Sequence, residues 1–86
     1  MTTSIKNRAP RYKVAKSAII KFGERKVECL VRSLSQTGAG MDVPNQFGIP
    51  ARFELEIPSD QLNLPCRVVW RKDHRMGVAF TKPDPF

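Results

Sequence analysis

Histidine, cysteine and long apolar runs are what this chain has least of. One histidine, His74, and two cysteines, Cys29 and Cys66, give no zinc-type spacing and too few thiols for a disulfide-stapled scaffold. No apolar run approaches the roughly 18 residues that a membrane helix needs. No apolar stretch follows Lys6, Arg8, Arg11 and Lys13 as it would in a signal peptide. A phosphate loop ending in Gly-Lys-Ser/Thr is absent as well. These gaps exclude metal-centred, membrane-inserted and secreted readings and lead us to expect a soluble, cytosolic protein. At 86 residues it has room for one domain and a small core.

Acidic residues are missing from one stretch in particular. Up to Lys21 there are six basic side chains and no acidic one, whereas the remainder carries nine basic and eight acidic groups. Almost all of the net charge of +7 therefore sits on the first quarter of the chain. A cationic segment on a near-neutral body attracts anions, although in isolation such a run is more often a solvated tail.

Apolar periodicity reads as strand nearly throughout. Ser17–Phe22 is a β-rich run closed by Gly23-Glu24. Val27, Cys29 and Val31 alternate with polar neighbours, as do Ala39, Met41 and Val43. Pro44–Pro50 reads as a loop with one apolar anchor. Phe53, Leu55 and Ile57 alternate with Arg52, Glu54 and Glu56, and Pro58-Ser59-Asp60 turns the chain. Cys66, Val68 and Trp70 form the next alternating set, and Met76–Phe80 the last. About six short strands at this spacing predict an all-β fold, and closure into a small six-stranded antiparallel barrel removes the exposed edges. On this pattern Cys29, Cys66 and Trp70 are core residues. Residues 1–13 form a flexible basic arm and 14–86 the barrel.

The inventory suits a binding module better than an enzyme. His74 falls in a charged hairpin tip, and Glu54 and Glu56 lie on the polar face of one strand, so neither forms an acid/base pair. Two segments carry the information instead. Asn7-Arg8-Ala9-Pro10-Arg11-Tyr12-Lys13 is a basic arm before the first strand, and Ser33-Leu34-Ser35-Gln36-Thr37-Gly38 is a small polar turn between two strands. Their order and separation, together with the closing Val68-Val69-Trp70 and Met76–Phe80 segments, resemble the PilZ domain, a small β-barrel that binds cyclic di-GMP. In that family an Arg-x-x-x-Arg arm precedes the first strand and an Asp/Asn-x-Ser-x-x-Gly turn follows the second.

The resemblance implies a ligand with two phosphates and two guanines, no cofactor, and output through an effector protein in motility, adhesion or polysaccharide control. Arginine's planar fork suits both phosphate and the guanine edge. Arg11 matches the second arginine of the arm, and Ser35 and Gly38 match the turn. Two positions depart: Asn7 stands where the arm has its first arginine, and Ser33 where the turn opens with Asp or Asn. Pro10 biases Ala9 toward polyproline geometry, which places Arg8 and Arg11 on one side and lets Arg8 replace the missing fork. The expected ligand-binding set is thus Arg8, Arg11, Ser33, Ser35 and Gly38. Two alternatives stay open. One is a PilZ-type module that has lost the dinucleotide and acts by protein contact. The other is a small nucleic-acid-binding barrel, which the apparent burial of the aromatics disfavours.

Overall fold

A computed structural model describes residues 11–81. It has six strands: β1 (Tyr12–Phe22), β2 (Arg25–Leu34), β3 (Gly38–Asp42), β4 (Arg52–Ile57), β5 (Leu62–Lys72) and β6 (Arg75–Phe80). They close into an antiparallel barrel in the order β1-β2-β3-β6-β5-β4, with β4 returning to β1. The expected six-stranded barrel is observed. Strand β1 starts at Tyr12, earlier than the Ser17 read from the apolar pattern, because Tyr12 and Lys13 pair with Leu34 and Ser33 of β2. Residues 1–10, Asn7 and Arg8 among them, lie outside the described residues.

Alternation fills the interior. Ala18 and Ile20, Cys29 and Val31, Phe53, Leu55 and Ile57, Leu64 and Cys66, and Met76 and Val78 all point inward and are buried. Ile49 is the apolar anchor of the loop between β3 and β4. Both cysteines are free. Burial pushes the Cys29 thiol up to about 12, and desolvation raises the Cys66 thiol to about 12 as well. They behave as small core residues.

The two ends of the barrel are closed differently. A 3-10 turn over Pro58–Asp60 links β4 to β5 at one end, and Asp60 accepts a 2.8 Å hydrogen bond from Lys16 of β1. At the other end the β3–β4 loop lies across the β5–β6 hairpin. Gln46 donates to the carbonyls of Lys72 and Arg75 at 2.6 and 2.9 Å. Arg71 donates to the carbonyl of Ile49 at 2.8 Å.

Trp70 corrects the sequence reading. It was expected in the core with Cys66 and Val68, yet it is 46% exposed on the outer wall. The cause is a bulge in β5. Val68 pairs with Val78 and Trp70 with Gly77, so two residues of β5 advance against one of β6. One extra residue inverts the phase of everything that follows it. The uninterrupted apolar triplet Val68-Val69-Trp70 was the visible sign that strict alternation had failed.

Candidate functional site

A single rung of cross-strand pairs defines the site. Lys13 faces Ser33, Ser33 faces Gly40, Gly40 faces Gly77, and Gly77 faces Trp70. The rung therefore crosses β1, β2, β3, β6 and β5 on the outer wall. Three register shifts adjoin it: one between Lys13 and Lys16, one between Val31 and Ser33, and one between Val68 and Trp70. Bulges bend a sheet and re-aim side chains, and here they turn Ser33 and Trp70 to the outside, over Gly40 and Gly77.

The glycines are required by close approach. A Cβ on Gly77 would run into the Trp70 indole, so the ring lies directly over that position. A Cβ on Gly38 would run into the Val78 carbonyl. Glycine inside a strand marks such approaches, and Gly77 between Met76 and Val78 was the signal in the sequence that could have pointed to Trp70.

Two connected clefts share this floor. One, of about 450 Å³, is lined by Lys13, Arg32, Ser33, Gly40, Trp70 and Arg75, among others. The other, of about 510 Å³, extends along Arg11, Thr37, Gly38, Val69 and Trp70. Both volumes fall within the range of small-molecule sites. The cations outnumber the acids: Arg32 and Arg75 share one carboxylate, donating to Asp42 at 3.0 and 3.2 Å.

The arm's last residues do meet the turn. Arg11 donates from Nη1 to Ser33 Oγ at 3.1 Å, joining two positions 22 residues apart. Gly38 lines the same cleft as Arg11. Ser35 is placed differently. It is buried, and its Oγ accepts from the Thr37 and Gly38 amides, each at 3.2 Å, so its hydroxyl fixes the turn. Its own amide donates to the Gly38 carbonyl at 2.9 Å. Arg8 lies outside the described residues. Lys13, Arg32, Gly40, Trp70, Arg75 and Gly77 were not singled out from the sequence for the site.

His74 donates from Nδ1 to the Pro44 carbonyl, 3.1 Å away, and takes no part in the clefts of the rung. Among the described residues no group of three or more His, Cys, Asp or Glu side chains could hold a metal ion. No helix among them is long and apolar enough to cross a membrane.

The chain is thus a small closed six-stranded β-barrel with a basic, glycine-floored cleft on its outer wall. The family model for the PilZ domain matches residues 5–85, nearly the whole sequence, and the chain belongs to that family. Membership points to a module of the cyclic di-GMP-binding type. A search of curated proteins finds no match.

Proposed function

We propose that this chain is a cyclic di-GMP receptor that takes the dinucleotide on the outer wall, between Arg11 and Trp70. The supporting observation is the Arg11–Ser33 contact at the edge of a cleft whose far side is an exposed indole over a glycine floor. Each group answers a part of the ligand. Arg11, Lys13, Arg32 and Arg75 supply positive charge for two phosphates. Trp70 offers a face on which a guanine stacks, worth about 1–3 kcal/mol per base. The absence of a Cβ at Gly77 lets the Trp70 indole lie against the sheet, and Gly40 beside it adds no side chain to the floor. Ser35 acts indirectly, by holding the turn that presents Thr37 and Gly38. Arg8, carried by the arm, closes over the bound ligand and replaces the fork that Asn7 lacks. The ordered arm then changes the surface offered to an effector protein. No reaction is assigned, and the role is binding.

Trp70 is the sole tryptophan, so its fluorescence reports on the cleft directly. Titration of the full chain with cyclic di-GMP is expected to give saturable heat and a parallel change in indole emission. No heat and no spectral change at near-millimolar dinucleotide would overturn the proposal. A protein-contact module is the second reading, favoured by Asn7 and by the neutral Ser33 hydroxyl that Arg11 meets in place of a carboxylate. The exposure of Trp70 also removes one argument against a base-stacking nucleic-acid surface. Single-stranded oligonucleotide is therefore run beside the dinucleotide, and tighter, steeply salt-dependent oligonucleotide binding would replace the receptor reading.

A further inference from the structure

At the end of the barrel away from the 35–37 turn, Phe47 is 86% exposed at the crest of the β3–β4 loop. Exposed apolar residues are common, and one alone signifies little. The loop that carries this one is held in place by several hydrogen bonds. The Asn45 side chain accepts from the Phe47 amide at 3.0 Å, and Ile49 N donates to the Gln46 carbonyl at 3.1 Å. Gly48 takes a left-handed φ of 81°. On one flank Gln46 is tied to the hairpin carbonyls, and on the other Ile49 is buried and its carbonyl accepts from Arg71. The loop is thus braced on both sides of a ring that touches no core. Bracing lowers the ordering cost of binding through that ring.

Cations outnumber acids beside the loop: Arg52, Arg67, Arg71 and Lys72 stand against Asp73 of the β5–β6 hairpin, whose carbonyl Gln46 approaches at 3.4 Å. Arg52, where the loop enters β4, pairs across the strands with Arg67 of β5. Neither has an ion-pair partner among the described residues, and like charges directly opposite repel. Lys72, whose carbonyl Gln46 binds, is exposed and likewise unpaired among the described residues. The β3–β4 loop itself contains no acidic residue.

We infer that Phe47, with Arg52, Arg67 and Lys72, forms a docking surface for an acidic protein that receives the ring in an apolar pocket rimmed by carboxylates. Central aromatic and arginine anchors are the usual carriers of interface energy. A membrane is the weaker fit, because one aromatic ring and a few cations fall short of stable anchoring. Phe47, Arg52, Arg67 and Lys72 are not among the residues that line the dinucleotide cleft.

A photoreactive phenylalanine analogue at position 47, in full-length chain expressed in its native cells, is expected to give a discrete protein adduct. The adducted protein, purified and titrated with the unmodified chain, should bind at least about tenfold more weakly to Phe47→Ser and to Arg52→Ser/Arg67→Ser. Binding to Lys21→Ser should be unchanged. The double-arginine variant should also flatten the salt dependence of association. Absence of an adduct, or equal affinity for all variants, overturns the inference. So does Phe47-dependent sedimentation with phosphatidylglycerol vesicles, or a Phe47-dependent dimer by light scattering. A clear fall in the melting temperature of Phe47→Ser would make the ring structural and overturn it too.

Discussion

Where β1 meets β4 the barrel wall neutralises its own charges, whereas the β2–β3–β6–β5 wall leaves them open. On the β1–β4 side Lys21 lies 3.8 and 3.6 Å from Glu54 and Glu56, opposite it or diagonally across the pair. On the β2–β3–β6–β5 side, among the described residues, Arg11 meets only a hydroxyl, while Arg32 and Arg75 divide a single carboxylate. The first face has regular register between β1 and β4, and the second is adjoined by bulges. A wall that needs only to face water can be regular and self-compensated. The wall proposed to take the ligand keeps surplus cations, and its bulges turn Ser33 and Trp70 outward beside them.

The sharpest way to break this contrast is at Gly38. Gly38→Ala drives a methyl into the Val78 carbonyl, which is backbone and yields poorly. We expect a loss of about 1–3 kcal/mol in urea unfolding together with the cleft. Next is Arg11→Ala. If the open wall is the ligand face, it weakens cyclic di-GMP by about 1–3 kcal/mol in calorimetry, with little change in melting temperature. Ser33→Asp sharpens the same point in the other direction. It gives Arg11 a carboxylate, so the pairing should tighten and dinucleotide affinity should rise.

The smallest effect belongs to the balanced wall. Lys21→Ala should shift stability by about 0.5 kcal/mol or less, since exposed ion pairs contribute little, and should leave ligand binding alone. The closed end behaves alike under acid. The hydrogen bond from Lys16 holds the Asp60 carboxyl below the usual carboxylate range. Its contribution is therefore present above the unfolded carboxylate pKa and is lost as the pH falls through the lowered folded value. Lys16→Met should remove that part of the acid dependence. At alkaline pH the core itself supplies a check. Cys29 and Cys66 titrate near 12 when folded, against about 9 when free, so stability should decline as the pH rises between those values.

Much of the barrel was legible because alternation is a local property. Phe53, Leu55 and Ile57 had to face one way and Glu54 and Glu56 the other, and β4 has that form. The turn at Ser33–Gly38 and the basic arm were legible as motifs, and their meeting through Arg11 and Ser33 was expected. Trp70 was misread because one inserted residue in β5 reverses its side, and alternation cannot register an insertion that only the partner strand reveals. Ser35 was read as a contact for the ligand, yet its hydroxyl serves the turn from within.

By itself, then, the order of residues determined the strands, the inward set and the cationic beginning, since each depends on neighbours within a few positions. Only the closed barrel decided that Lys13, Ser33, Gly40, Gly77 and Trp70 share one rung. Register between strands is a property of pairs, and three bulges reset it where the cleft was to lie.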